Sequence, residues 1–246
     1  MLFPAPGAPA TTQTSAGGTS GSVGQPATGR LGNRGGIRRA CGRDWADTHD
    51  AVQVDPPTAV EGLAGLVDPG SALLEYGAGT GRRAGPLADR GFDVVAVDIR
   101  GPVLQTLREK PGAERGTAVL GDMTMVELGR TFDMAFSALN SIFWLPSQEE
   151  RVQPTEPQNR IAQIGDRVVI TTMTRGTPPP APTRACGCAW GDGTTAHSVG
   201  GRHVWHGELD LMARLAGLEL EHRWSDWAGS PFTAASRGHT CAHRRP

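Results

Sequence analysis

The stretch of residues 72–81 reads Ala-Leu-Leu-Glu-Tyr-Gly-Ala-Gly-Thr-Gly. Its first five residues form a short, largely apolar run that is typical of a buried β-strand, and three glycines follow at once. Glycine permits a sharp turn and lets a ligand approach the backbone where a Cβ would block it. Arg82–Arg90, closed by Gly91, is predicted to be a helix, although Gly85-Pro86 weakens its start. The stretch therefore predicts a strand, a ligand-binding turn and a helix.

Strands and helical segments continue to alternate beyond this turn. Such alternation predicts βαβ units and a mainly parallel, doubly wound α/β sheet, in which the carboxyl ends of the parallel strands share one ligand-binding edge. The predicted strands are Phe92–Ile99, Thr117–Leu120, Thr131–Ser137, Arg167–Thr172 and Leu218–Glu221, and the further predicted helices are Pro102–Lys110 and Glu208–Ala216.

Acidic side chains are predicted at the ends of three successive strands, around the glycine turn. Glu75 precedes the glycines, Asp98 ends the run Val94–Val97, and Asp122 with Met123 follows the third strand. Asp98 is placed to accept both hydroxyls of a ribose, and Asp122 to accept from an adenine amino group with Met123 on the ring face. Taken singly, these residues are also explained as a helix cap, a turn and a core residue. Together they favour one nucleoside-binding site.

The spacing of the glycines separates two kinds of nucleoside ligand. A dinucleotide-binding turn follows the pattern G-x-G-x-x-G, whose third glycine packs the helix on the strand. Counting from Gly77, Arg82 holds that third place. The pattern is instead G-x-G-x-G with Glu75 two residues ahead. An NAD-dependent oxidoreductase is therefore the less favoured alternative.

Taken in order, these motifs resemble the class I S-adenosylmethionine-dependent methyltransferases, and among them the small-molecule type common in actinobacteria. The resemblance covers roughly residues 44–170 and 205–233. Its further motifs are Phe132–Ser137 with Asn140-Ser141, and Glu208–Leu218 through Ser230–Thr233.

The resemblance implies a Rossmann-like, doubly wound, seven-stranded sheet with a helical N-terminal cap, and S-adenosylmethionine as the cofactor. It also implies transfer of a methyl group to O, N or C of a small-molecule acceptor. Ser137 and Asn140 are implied beside the sulfonium and the acceptor. The implied cofactor-binding residues are Glu75, Tyr76, Gly77, Ala78, Gly79, Thr80, Gly81, Asp98, Ile99, Asp122, Met123, Ser137 and Asn140.

Three stretches depart from the family pattern. Gln153–Asp166 carries two prolines where relatives have a helix, Arg175–Gly201 is rich in Pro, Gly and Cys, and Thr240–Pro246 does not resemble a closing strand. We interpret these stretches, as a hypothesis, as frame-shifted or degenerate coding. The alternative function is then a catalytically degenerate or regulatory S-adenosylmethionine-binding protein of the same fold.

Other kinds of site receive less support. The possible zinc donors do not have the spacing of a zinc site, and no metal is predicted; they are Cys186, Cys188, His197, His203 and His206. His203 and His206 precede the late helix, where exposed or structural histidines are favoured over a general base, so no catalytic residue is predicted.

Composition bounds the remaining questions. The chain has 246 residues, 38% hydrophobic and 20% charged, with a formal net charge of -1, which suits a globular protein and disfavours a nucleic-acid binder. No apolar run is long enough for a bilayer, and no signal peptide precedes the domain, so a cytoplasmic location without membrane contact is expected. Residues 1–43, rich in Pro, Gly, Ser and Thr, are predicted to be a disordered tail, and residues 44–246 the methyltransferase domain.

Overall fold

A seven-stranded β-sheet organises the part of the chain that the computed structural model describes, which is residues 57–138, 141–145, 164–173, 186–189, 196–199 and 204–246. The strands of this sheet are β1 (Ala72–Tyr76), β2 (Asp93–Asp98), β3 (Thr117–Leu120), β4 (Phe132–Ser137), β5 (Ile164–Met173), β8 (Glu219–Trp224) and β9 (Gly238–Arg244). Their order in the sheet is β3-β2-β1-β4-β5-β9-β8. The described helices are α1 (Thr58–Ala64), α2 (Ala84–Asp89), α3 (Gly101–Glu109) and α4 (His206–Leu215).

Strands β1 to β5 run parallel, and β9 and β8 complete the sheet antiparallel to their neighbours. Strand β1 lies between β2 and β4, where Glu75 pairs in register with Ala96 of β2 and Phe136 of β4. Parallel strands end at the same edge, so the residues that follow β1, β2, β3 and β4 meet there. The predicted doubly wound α/β sheet is confirmed.

Helices cover both faces of the sheet. One face packs against α1, α2 and α3 through residues such as Leu63, Leu87 and Leu104. The other face packs against α4, which presents Leu209, Met212 and Ala213 at helical spacing. Burial on both faces explains why β1 and β2 are almost continuously apolar rather than alternating.

The expectation that the last residues form no closing strand is wrong. Strand β9 lies between β5 and β8 and pairs with both over several residues. Its residues His239, Thr240 and His243 are buried, beside the buried Cys241 and Ala242. The polar composition concealed this strand, because a strand pattern is read from apolar residues.

The Cys-rich stretch also holds a strand pair that its composition did not predict. Strands β6 (Cys186–Ala189) and β7 (Ala196–Val199) pair antiparallel as a separate two-stranded sheet. The other differences are at element ends, and β5 begins at Ile164 rather than at Arg167. The predicted tail, residues 1–43, lies outside the described residues, as do residues 153–163, 175–185, 190–195, 200 and 201 of the departing stretches.

Candidate active site

The glycine turn after β1 is held against the end of β2 by backbone hydrogen bonds. The amides of Gly77 and Ala78 both donate to the Val97 carbonyl, at 2.8 and 3.0 Å. Gly77 has φ +70°, which side chains other than glycine rarely adopt, and a Cβ there would lie 2.6 Å from the Ser141 Oγ atom. The turn therefore requires glycine both for its conformation and for its close approach to the residues after β4.

Asp98 closes the turn from the other side. Its carboxylate is almost wholly buried, and one oxygen accepts a hydrogen bond of 2.9 Å from the Gly79 amide. The other oxygen accepts from the Arg100 amide at 2.9 Å. The Arg100 guanidinium binds both oxygens, with Nε 3.0 Å from Oδ1 and Nη2 3.1 Å from Oδ2. The carboxylate thus joins the β1 turn to the β2 turn.

Asp122 lies beside Asp98 at the end of β3, because the Gly121 amide donates to the Asp98 carbonyl at 3.0 Å. The buried Asp122 carboxylate accepts hydrogen bonds from the Thr124 amide and hydroxyl, at 2.9 and 2.7 Å. Met123 comes close to the glycine turn, since its Cε atom would lie 3.9 Å from a Cβ built on Gly77. The three predicted strand ends therefore converge.

Glu75 supports the turn from within the core. Its carboxylate is 1% exposed, accepts from the Ala84 amide at 3.1 Å, and lies 3.6 Å from the Arg83 guanidinium. The Ala84 amide belongs to the first turn of α2, where backbone donors lack helical partners. Glu75 thus fixes the start of the helix that follows the glycines.

The end of β4 supplies the side of the site opposite Asp98. Ser137 pairs in register with Tyr76, and its Oγ atom is buried with no hydrogen-bond partner among the described residues. Burial raises the pKa of the Tyr76 hydroxyl above its ordinary value of 10.0, so this side chain stays protonated. The Ser137 hydroxyl is costly to bury without a hydrogen-bond partner, and a bound ligand would supply that partner.

A second polar group, which the sequence did not predict, lies under α4 at the start of β9. His239 Nδ1 lies 3.1 Å from the Cys241 Sγ atom, and the Arg223 Nε–H donates to the same sulfur at 3.1 Å. Arg223 also binds Asp210 of α4. Phe232 contacts the His239 ring at 5.8 Å between centroids. Only the pairing of β8 with β9 could have revealed this group.

His206 adjoins this group at the first residue of α4. Its ring lies 4.5 Å from that of Trp205 and 5.2 Å from that of Phe232, centroid to centroid. Its Nδ1 atom is buried and has no hydrogen-bond partner among the described residues. Burial lowers the pKa of His206 most, and the positive charge of Arg223 lowers it further. The negative charge of Asp210 raises it and so partly opposes these two effects. The imidazole is therefore neutral at neutral pH and can accept a hydrogen bond.

The structure brings together most of the predicted cofactor residues. Ala78 and Thr80 are buried within the turn, and Ile99 is partly exposed beside Asp98. Asn140 and His203 lie outside the described residues. No cluster of three or more His, Cys, Asp or Glu side chains suited to a metal ion occurs where side chains are described. Nor do the described helices include one long and apolar enough to cross a membrane.

The edge has three features that fit an adenosyl cofactor. The turn at Gly77 leaves no room for a Cβ, the buried Asp98 carboxylate lies at the end of β2 against that turn, and the Ser137 hydroxyl has no described partner. Carboxylates, exposed turn backbone and a hydroxyl are groups that bind ribose, adenine and an amino-acid portion. The arrangement can thus bind a nucleoside ligand across the ends of four strands.

The chain is similar in sequence to known proteins. The family model described as a methyltransferase domain matches residues 73–153. The cypemycin N-terminal methyltransferase of a Streptomyces species is 30% identical over 200 residues, which are 68% of this chain and 80% of that protein. This similarity gives the degenerate alternative no support.

Solved structures share the fold. The CcbJ methyltransferase of Streptomyces caelestis superposes with a TM-score of 0.70 at 28% identity, over 81% of this chain and 95% of that one. The glycopeptide N-methyltransferase MtfA, complexed with S-adenosylmethionine, superposes with a TM-score of 0.61 over 79% of this chain and all of that one. At 17% identity, the second likeness concerns the fold alone.

Proposed function

We propose that this chain, which belongs to the methyltransferase-domain family, binds S-adenosylmethionine across its glycine turn and methylates a nitrogen of a small-molecule acceptor. The observation that carries the cofactor assignment is the convergence of Gly77, Asp98 and Met123 at one sheet edge. When bound, the cofactor supplies a methyl group already activated on a sulfonium.

In this proposal each strand end has its own role. Asp98 accepts the two ribose hydroxyls, and Asp122 with Met123 binds the adenine. Gly77–Gly81 provide the surface for the methionine portion, while Glu75 holds that turn and the start of α2 in place. Ser137, whose hydroxyl lacks a described partner, lies on the side of the sulfonium and the acceptor.

The main task of the protein is then to align the acceptor with the methyl group and to exclude water. Alignment of two reactants can contribute ~7–11 kcal/mol to a reaction of this kind. Because the cofactor would supply an already activated methyl group, the residues at this edge would not have to donate a proton to its leaving group.

The choice of nitrogen over oxygen or carbon is supported by a relative and by one structural feature. The relative at 30% identity is named an N-terminal methyltransferase. The neutral imidazole of His206 lies 6.2 Å from the His239 ring, between centroids, and the start of β9 lies at the same sheet edge as Ser137 because it pairs with the end of β5. A neutral imidazole can accept the proton that an ammonium group must lose before its nitrogen attacks.

Calorimetric titration with S-adenosylhomocysteine, S-adenosylmethionine and NAD tests the cofactor. We expect the two adenosyl compounds to bind and NAD not to bind; binding of NAD alone would refute the proposal. Incubation with methyl-labelled S-adenosylmethionine and matched panels of amines and phenols then tests the acceptor. Label in phenols but not in amines would contradict the assignment to nitrogen and leave the cofactor assignment intact.

A further inference from the structure

The Asp98 carboxylate has every acceptor position occupied. A carboxylate offers about four lone-pair positions, two on each oxygen. Oδ1 accepts from the Arg100 amide at 2.9 Å and from Arg100 Nε at 3.0 Å. Oδ2 accepts from the Gly79 amide at 2.9 Å and from Arg100 Nη2 at 3.1 Å. A ribose therefore finds no acceptor position open on this carboxylate.

The four donors divide evenly into two kinds. Each oxygen has one backbone donor, from Gly79 or Arg100, which belongs to a turn held by other hydrogen bonds. Each oxygen also has one donor from the Arg100 guanidinium, whose side chain is 14% exposed whereas that of Asp98 is 2% exposed. The backbone donors cannot leave without opening the turns, but the guanidinium can rotate toward solvent.

The guanidinium presents two parallel N–H donors to the two oxygens of one carboxylate. A ribose diol presents two neighbouring O–H donors, one for each oxygen, in the same sense. Exchange of one pair for the other preserves the two backbone hydrogen bonds and leaves all four acceptor positions filled. A buried carboxylate needs such partners in both states, because an unpaired buried charge is costly.

We propose that Arg100 occupies the ribose positions of Asp98 in the free protein and that the cofactor's diol displaces it. This inference rests on the proposed function, since it takes the ligand to be an adenosyl compound. Arg100 is then a residue that sets cofactor affinity by competition. Its removal should strengthen binding, whereas removal of an ordinary contact residue weakens it.

The test compares binding of S-adenosylhomocysteine to wild type, Arg100→Met and Arg100→Lys by calorimetry. Methionine keeps an unbranched side chain but donates no hydrogen bond, so we expect at least roughly ten-fold tighter binding, because the two charged hydrogen bonds of the guanidinium no longer have to be broken. Lysine has a charge without the two-pronged geometry and should give an intermediate affinity. Arg90→Met is the matched control, because Arg90 is exposed and forms an ion pair with Glu61, with 2.5 Å between the charged atoms. This variant should bind S-adenosylhomocysteine with unchanged affinity.

A second measurement follows the guanidinium in the wild-type protein itself. The Arg100 Nε–H signal in a nitrogen-15 NMR spectrum, assigned by its absence in Arg100→Lys, should shift strongly when S-adenosylhomocysteine is added. An unshifted signal, or equal or weaker binding by Arg100→Met, would overturn the displacement while the proposed function stands. Failure of the wild type to bind S-adenosylhomocysteine would instead refute the proposed function.

Discussion

Gly77→Ala is the sharpest test of the glycine turn, because two separate penalties are expected from one added methyl group. The first is conformational: φ at Gly77 is +70°, and an L-residue in this region costs about 1–2 kcal/mol. The second is steric, since the new Cβ would lie 2.6 Å from Ser141 Oγ and 2.7 Å from Ser141 Cβ. Rotation of the serine side chain cannot relieve contact with its own Cβ, so the backbone must move.

Gly129→Ala separates these two penalties. Gly129 has φ +66°, and a Cβ there would meet nothing within 4 Å. The control therefore has the same strain without the collision, and we expect it to lower the free energy of unfolding by about 1–2 kcal/mol. Gly77→Ala should lower it by a further ~1–3 kcal/mol, which is the usual cost of overpacking.

Urea unfolding followed by tryptophan fluorescence measures both variants, with the midpoint interpreted only where the slope is unchanged. The double variant Gly77→Ala/Ser141→Gly should recover most of the steric part, because glycine removes both colliding serine atoms. An equal loss of unfolding free energy in Gly77→Ala and Gly129→Ala, or no recovery in the double variant, would refute the close approach of Gly77 to Ser141.

Three further expectations concern single side chains. Asp98→Ala should weaken binding of S-adenosylhomocysteine in calorimetry by ~1–3 kcal/mol, since two ligand hydroxyls lose their acceptor; an unchanged affinity would place the ribose elsewhere. Hydrogen bonds from Arg167 lower the pKa of Glu221, so their stabilisation is complete above its ordinary value of 4.5 and is lost as pH falls below it; Glu221→Gln should flatten that acid limb in urea titrations. Burial lowers the pKa of His243, so stability should fall as pH drops below 6.5, and an identical slope in His243→Asn would exclude this histidine as the cause.

The sequence predicted the central part of the sheet because local signals agreed there. Between Ala72 and Asp122, an apolar run is followed each time by a glycine or an acidic residue at the strand end. A parallel sheet brings the ends of these strands to one edge. The convergence of Gly77, Asp98 and Met123 follows from that topology alone. No long-range information was needed beyond the rule that parallel strands share an edge.

Strand β9 was missed because its stability depends on partners distant in the chain. His239 and Cys241 are buried because Arg223 on β8 and the rings near α4 lie against them. A polar residue is suited to a core only when its hydrogen-bond partner is present, and the partner is 18 residues away for Arg223 and Cys241. The local pattern therefore did not indicate a strand where the tertiary structure forms one between β5 and β8.

Asp98 shows what the sequence can and cannot specify at one residue. Its place at the end of β2 is a local property, and so its candidacy for the ribose could be predicted. The hydrogen-bond partners that Asp98 has in this structure could not be predicted from the sequence. Gly79 belongs to another turn, and the Arg100 side chain has to fold back across two residues. In the ligand-free protein, the carboxylate that would bind the ligand joins the turn after β1 to the turn after β2. Affinity at this site is therefore a difference between two sets of hydrogen bonds, and only a structure gives the second set.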